Sequence, residues 1–558
     1  MREIDRLTVE NSQITSLELM QAAASACFQA IKAHFSGNLA GKRSQILCGQ
    51  GNNGGDGAAL ALELTRAQVH VDVVLFGKVD DARGDARTNF DIVRRLANAE
   101  AELGDQSRGH TGPLSFVRCD SVARWEELAE REAHYDIIVD ALFGTGLNRP
   151  LQGLFVNVVQ HLAITRKTRE NCSAVGPLIV SIDIPSGLNA DSAKPIGPAI
   201  QADLTITFTA PKPANVLPPA SHFNGKLVVS DIGSPKALVD EAGSDLFVIE
   251  ESDARQWLTA TRYTPDSFKN THGQVLVVAG SRGYTGAAVL CGNAAMRSGA
   301  GLVTIATPAS AQTAIAATVM PEVMTTALAE TDRGAVSDEA IEHVLQLASK
   351  ATVIAIGPGL SAEDERTRRF VYSVVQNRKT PMVIDADALN CLSIDSVGWP
   401  DDLRGSKKAP LILTPHAGEM LRLLGTTDKD VLGDHRRVVV ARDFASKHQL
   451  ILVLKGARSL IAAPDGRVFI NPTGNAGLGT AGAGDTLTGL IAGFVAQASA
   501  TLKDNANALA ATIAALYVGG LAGDLAARDS GMRTMVASDI REHFSEAIRM
   551  LDPVGETP

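Results

Sequence analysis

The sequence predicts an α/β protein of two domains, each with a mostly parallel sheet layered between helices. Three observations carry this prediction. The chain has 558 residues, long enough that two or more hydrophobic cores are the default expectation. Short β-branched runs alternate with helical patterns along nearly all of it, the order produced when helices connect parallel strands. After Gly233 this alternation breaks, and a second α/β series then follows.

Taken in order, "SLELMQAAASACFQAIKAHF" places apolar residues at helical spacing and predicts a helix beside the first sheet. The first strand candidates are "SQILCG", "HVDVVLFG", "YDIIVDALFG", "GPLIVSIDIPSG", "LTITFTA" and "KLVVSDIG". The stretch from about Gly104 to Gly112 is polar and reads as a loop. "SPKALVDEAGSDLFVIEESDARQWL" reads as a connector, which places a first domain at 1–235, a linker at 236–250 and a second domain at 251–558. The second series runs "GQVLVVAGS", "GLVTIATP", "ATVIAIGPG", "PMVIDADAL", "PLILTPH", "LILVLKG", "SLIAAP" and "VFINP". Two Ala-rich helices close it, one from Asp485 and one near Ala508, and no internal repeat is found.

Bulk properties exclude several classes. A formal net charge of -10 without a dense basic run argues against a nucleic-acid-binding surface. The six cysteines are scattered with no C-x-x-C pair, so zinc ribbons and dithiol redox chemistry are poor readings. Cys48, in a predicted buried strand, reads as an apolar filler. The opening "MREIDRLTVE" is charged and lacks the apolar run of a signal peptide. Ala508 to Gly523 is too short and too rich in Ala and Gly to span a hydrocarbon layer of roughly 30 Å. A cytoplasmic protein without a membrane partner is the expectation.

Chemistry concentrates at the predicted carboxyl ends of strands, where parallel sheets bind ligands. "ILCGQGNNGGDGAALALEL" carries Gly49, Gly51 and Gly54 between a strand and a helix, the spacing of a dinucleotide-binding turn. That spacing alone fits plain turn chemistry equally well. Asn52, Asn53 and Asp56 add polar side chains where a phosphate turn uses backbone. "YDIIVD" ends at Asp140 and runs into "ALFGTGLNRP"; "LIVSID" ends at Asp183 and runs into "IPSGLNAD". Two buried carboxylates at neighbouring strand ends imply a cation, a hydrogen-bonding substrate, or both. Asp140 taken alone reads better as a helix cap. Convergence of three such loops favours a site.

In the second series, "GLGTAGAGDTLTGLIAGF" places a glycine run before a helix, whose open amides can cradle a phosphate. Asp485 then stands where it can take a proton from a hydroxyl attacking that phosphate. A glycine-rich helix cap is the plain alternative. No G-x-x-x-x-G-K-[ST] occurs, so a standard P-loop is not supported. "IGPGL", "DADAL", "TPHAGEM" and "LKGARS" add polar strand ends. His416 alone reads as structural, but between strand and helix it becomes a candidate substrate contact. Lys455 could face a nucleotide phosphate, although a strand-end lysine is usually just solvated.

"GNNGGDG", "VDALFGTGL" and "DIPSGL", in that order and separation and preceded by "MREIDRLTVE", resemble the epimerase domain of the NAD(P)H-hydrate repair enzymes. The second set resembles the dehydratase domain of the same family, over about residues 250–545. The resemblance implies a Rossmann-like three-layer αβα domain followed by a ribokinase-like αβα domain. It implies a potassium ion held by Asn53, Asp140 and Ser186, oxygen donors suited to a hard cation. It implies contacts to the hydrate from Asn52, Asn53, Gly54, Gly55, Asp56, Gly144, Thr145, Gly146, Leu147, Asn148, Arg149, Pro150 and Asp183. The reaction implied is interconversion of the R and S hydrates, with Asp140 the candidate general acid/base.

In the second domain, the resemblance implies that Ala287, Gly359, His416 and Asp485 contact the hydrate. Lys455, Gly456, Ala457, Arg458, Ser459 and Gly484 would contact ADP, with magnesium on its diphosphate. The S hydrates of NADH and NADPH (NADHX and NADPHX) would be dehydrated at the expense of ADP, giving reduced cofactor, AMP and phosphate. A homo-oligomer is the expected assembly. One departure is Gln21, where the family commonly carries Glu. Three other readings stay open. A ribokinase-like small-molecule kinase fused to a Rossmann-like binding domain would leave a stable phosphorylated product. A non-catalytic nucleotide sensor would show no turnover. A plain dehydrogenase lacks candidate hydride-transfer residues around Gly49.

Overall fold

The computed structural model describes residues 1–12, 14–103, 113–130, 135–172, 176–393, 397–433 and 436–552. It divides into two compact units, Met1–Ser244 and Asp245–Pro558. The stretch expected as a loop at 104–112 lies outside the described residues.

The first unit holds seven strands: β1 (Arg43–Cys48), β2 (His70–Phe76), β3 (Leu114–Cys119), β4 (Ile137–Ala141), β5 (Leu178–Ile182), β6 (Leu204–Phe208) and β7 (Lys226–Ser230). They form one parallel sheet in the order β3-β2-β1-β4-β5-β6-β7. Strands β4 and β5 are buried throughout, because helices cover both faces of a parallel sheet. Period-two alternation splits the core. Ile46 and Cys48 pack on the face of helices Ser16–His34, Asn52–Arg66 and Gly84–Leu103. Leu47 packs on the face of helices Val122–Ala129 and Leu154–Cys172. Strand order reverses at β1, which lies between β2 and β4, so a crevice opens between the carboxyl ends of β1 and β4.

The motif that follows β1 is a helix start rather than an extended loop: Asn52–Arg66 is helical, with Gly51 as N-cap. Its glycines permit close approach. A Cβ on Gly54 would lie 1.8 Å from the Gly49 carbonyl oxygen, and one on Gly57 would lie 2.7 Å from the Ala141 Cβ. Helix Ser16–His34 begins with a capping box, Thr15 with Glu18, which satisfies two otherwise open amides.

The second unit holds ten strands: β8 (Leu246–Val248), β9 (Gln274–Val278), β10 (Leu302–Pro308), β11 (Val323–Leu328), β12 (Val353–Ile356), β13 (Met382–Ile384), β14 (Leu411–Leu413), β15 (Ile451–Leu454), β16 (Leu460–Ala462) and β17 (Val468–Ile470). Their order is β11-β10-β9-β12-β13-β14-β15-β16-β17-β8. Pairing is parallel from β11 to β15 and antiparallel at β16, and β8 runs parallel to β17. Helix Ala483–Leu502 crosses helix Thr285–Arg297 closely: a Cβ on Gly489 would meet the Cys291 carbonyl oxygen at 2.1 Å. Its Ala and Gly content is therefore a packing requirement.

Three strands escape the sequence reading: β3, β8 and β11. Each is a sheet edge. The stretch expected as a linker, 236–250, carries helix Lys236–Glu241 and then β8, which joins the second sheet. The last long helix also extends past Gly523. At Ala508–Ser530 it is long and apolar enough by length and composition to cross a membrane, and 67% of its most apolar window is buried inside the unit. Burial of that kind is what a core helix requires. Cys27, Cys48, Cys119, Cys291 and Cys391 are free and buried.

Candidate functional site

In the first unit, a cavity of 1130 Å³ opens at the carboxyl ends of the strands. Asn52, Asn53, Asp56, Gly144 to Arg149 and Asp183 line it, together with Asp5 and Lys212. Gly54, Gly55 and Pro150 are not in its wall. Gly55 instead makes room for helix Gly84–Leu103, since a Cβ there would meet Ala86 Cα at 2.8 Å.

Asp140 lies beneath the cavity rather than in its wall and is fully buried. Its Oδ1 accepts from Ser186 Oγ at 2.6 Å and Leu142 N at 3.3 Å; its Oδ2 accepts from Ser181 Oγ at 2.8 Å and Ser186 N at 2.8 Å. Burial raises its pKa, and these bonds oppose the rise. With donors on both oxygens and no face on the cavity, Asp140 is badly placed to exchange protons with a ligand there. This placement favours an anchoring role for Asp140 over the expected general acid/base role.

The same residues do suit a cation. Ser186 Oγ accepts from Phe143 N at 2.9 Å and lies 3.2 Å from Phe143 O. Asn53 Oδ1 would be 3.2 Å from a Cβ on Gly144, and Asn53 Nδ2 is buried without a hydrogen-bond partner among the described residues. Asn53, Asp140 and Ser186 thus gather around Phe143–Gly144, and an all-oxygen donor set of this kind fits a hard cation.

Asp183 adopts a left-handed backbone, φ 66°, which is uncommon for a non-glycine residue and concentrates at functional positions. Lys212 Nζ donates to its Oδ1 at 2.5 Å, and Thr207 Oγ1 donates to the same oxygen at 2.9 Å. Lys212 is only 5% exposed and also donates to Thr207 Oγ1 and Phe208 O. Burial first, then Asp183 and Asp5, drive Asp56 well above the usual carboxylate range. Burial likewise raises Asp5. Lys212 is marked by no local motif, and Asp5 falls within the opening segment of residues 1–10 without being singled out there.

In the second unit the strand ends form a polar neighbourhood. The Asp385 side chain, 1% exposed at the end of β13, accepts from Lys455 Nζ at 2.7 Å and from Thr488 Oγ1 at 2.7 Å. Burial pushes the Asp385 carboxyl up, but the Lys455 ammonium outweighs this and the net shift is downward. Lys455 is raised overall, the carboxylates of Asp385, Glu419 and Asp485 overcoming burial. A Cβ on Gly484 would lie 3.1 Å from Lys455 Nζ, so the ammonium sits against the start of helix Ala483–Leu502. Gly482 caps that helix at φ 81°, with no side-chain cap bond closing its amides.

Asp485 stands in the first turn of this helix. Burial, then Asp385, push it up to about 7, the range of a general base working near neutrality. His416 Nδ1 accepts from Gly418 N at 3.0 Å and Glu419 N at 3.2 Å, which leaves the ring proton on Nε2 as a donor. Burial, then Lys455, lower its pKa. Glu419, a residue the sequence reading passed over, is pushed up to about 7 by burial. Gly359 (φ 66°) adjoins Ala287: a Cβ on it would meet the Ala287 Cβ at 3.1 Å. A Cβ on Gly357 would meet Asp385 O at 1.8 Å, which ties this loop to the ion pair. In the following loop, Ala457 O accepts from Arg437 at 3.2 Å, Arg458 donates to Pro472 O, and Ser459 Oγ donates to Gly456 O at 3.3 Å.

Two families match the chain. The one described as YjeF-related protein N-terminus matches residues 16–214. The one described as NAD(P)H-hydrate dehydratase matches residues 275–546. The chain is 40% identical over 557 residues to the bifunctional NAD(P)H-hydrate repair enzyme Nnr of Moorella thermoacetica, covering 100% of this chain and 97% of the relative. It is 31% identical to the protein of the same name from Escherichia coli, covering 99% and 93%. Among solved structures, the ADP/ATP-dependent NAD(P)H-hydrate dehydratase of Bacillus subtilis, co-crystallised with ATP and Mg2+, is 29% identical. That likeness covers 55% of this chain and 99% of the other, at a TM-score of 0.45.

Proposed function

The chain belongs to the family of bifunctional NAD(P)H-hydrate repair enzymes, and on that premise we propose how its two units divide the work. It is an isomerase and a lyase in one chain. The first unit interconverts the R and S hydrates of NADH and NADPH. The second dehydrates the S hydrate at the expense of ADP and returns the reduced cofactor, AMP and phosphate. Fusion keeps the two activities in fixed ratio, so the R hydrate is drawn through by mass action. The substrates are small molecules met in the cytoplasm.

In the first unit the hydrate occupies the 1130 Å³ cavity, against Asn52, Asn53, Asp56, Gly144 to Arg149 and Asp183. Potassium, held by Asn53, Asp140 and Ser186, supplies a fixed positive charge beneath it. In the second unit, Ala287, Gly359, His416 and Asp485 take the hydrate, and Lys455 to Ser459 with Gly484 take ADP. Magnesium bound with ADP neutralises diphosphate charge.

One observation carries the dehydratase reading: a carboxyl pushed up to about 7, at an uncapped helix start that abuts a lysine ammonium. Hydroxide leaves a carbon badly and phosphate leaves it well. Asp485 takes the C6 hydroxyl proton as that oxygen attacks the terminal phosphoryl of ADP, releasing AMP. The Gly482 to Gly484 amides and Lys455 stabilise charge on the transferring group. The ring nitrogen lone pair then expels phosphate, and loss of a C5 proton restores the dihydropyridine. The experiment is incubation with mixed NADH hydrates plus ADP, with both epimers resolved by chromatography. Both should disappear as absorbance of the reduced cofactor returns. Loss of the S form alone would remove the epimerase reading, and a stable phosphorylated product would replace the dehydratase with a kinase.

A further inference from the structure

Five carboxylates line the cavity of the first unit, those of Asp5, Glu10, Asp56, Asp85 and Asp183, and they are not equivalent. Asp183 has a buried counter-ion, Lys212 Nζ at 2.5 Å, and a second donor in Thr207. Asp56 has no hydrogen bond to any described residue and stands near the start of helix Asn52–Arg66, past its first turn, in the cavity wall. Asp5 reaches the same wall from the helix Arg2–Asn11. A buried carboxylate with neither a counter-ion nor a hydrogen-bond donor is costly to ionise, so the cluster retains a proton on such a group. Burial and the neighbouring Asp183 and Asp5 single out Asp56 as that group. Arg6, Glu10, Asp85 and Arg149 are the other charged side chains in the wall. Arg6 is taken up by Glu3 and Glu10.

Resting on the epimerase reading above, we infer that Asp56 is the proton donor to the departing C6 oxygen of the hydrate, and that Lys212 positions Asp183 to receive the proton of the returning water. The C6–O bond breaks as Asp56 transfers its proton to that oxygen, which leaves as water. The N1 lone pair forms the N1=C6 double bond. Water adds to the opposite face of C6, the π electrons return to N1, and the proton released goes to Asp183. A proton then passes from Asp183 to Asp56 through solvent, and the reverse epimerisation uses the two carboxylates in exchanged roles. No oxidant, reductant or co-reactant is consumed. Asp5, in the same wall, adds negative charge to the environment of the transient cation.

The test follows each purified epimer in water enriched in oxygen-18, with the full-length chain. The wild type should place one solvent oxygen at C6 for every inversion. Asp56→Asn should slow inversion in both directions at least ~100-fold, the span expected for a general acid, while the KM for hydrate changes little. Lys212→Met should lower kcat and shift the pH profile, and Lys212→Arg should restore part of both. An unchanged calorimetric transition of the first unit in each variant shows that this unit has folded. Inversion at wild-type rate in Asp56→Asn, or inversion without solvent oxygen, overturns the inference and leaves the epimerase reading in place. A wild type that does not accelerate inversion at all sinks the epimerase reading itself.

Discussion

At the scale of single residues, burial separates carboxylates that hold a structure from those that can do chemistry. Asp140, bonded through both oxygens and fully buried, anchors the loops that carry Ser186 and Phe143. Asp485 accepts no hydrogen bond from a described residue and is pushed up to about 7 by burial and by Asp385. A base acts in its ionised form, so kcat/KM for dehydration at saturating ADP should fall about tenfold per pH unit below 7, while the alkaline side stays level near neutrality. Asp485→Asn should abolish that acidic limb and cost at least ~100-fold in turnover, measured by return of reduced-cofactor absorbance. Lys455→Ala should do something different. It strands the Asp385 carboxylate, 1% exposed, and an unpaired buried charge costs roughly 3 kcal/mol. Calorimetry should show a lowered Tm for the second unit together with loss of ADP binding.

At the scale of elements, legibility follows burial on both faces. Strands β4, β5, β12 and β15 are near-continuous apolar runs because helices cover them twice, and the sequence displays them plainly. Strands β3, β8 and β11 lie at sheet edges, where one flank has no strand partner and polar residues are tolerated. "LSFVRC" and "VMTTAL" therefore carry no strong strand signal. The glycine motif after β1 was visible, but its purpose was not. Its glycines let a helix approach the sheet, and the polar residues between them face the cavity. Gly54→Ala would force a Cβ to within 1.8 Å of the Gly49 carbonyl oxygen. It should destabilise the first unit by roughly 1–3 kcal/mol, read as a lower first calorimetric transition with the second unchanged.

At the scale of the whole molecule, two units each close their own sheet and core, Met1–Ser244 and Asp245–Pro558. Expressed apart, 1–244 should epimerise hydrates without ADP, and 245–558 should dehydrate the S form alone. A fragment starting at 251 should melt lower than one starting at 245, because it lacks β8 and the buried Ile249 that close the sheet edge. The sequence by itself determined the α/β class, the presence of two series and the polar strand ends where ligands bind, since each is written in local period and composition. Only the tertiary structure decided which polar residues face a cavity and which lie sealed beneath it. It alone brought Asp5 and Lys212 to Asp56 and Asp183, and Lys455 and Thr488 to Asp385. These partners are far apart in the chain, and strand order, which no local pattern encodes, sets them side by side.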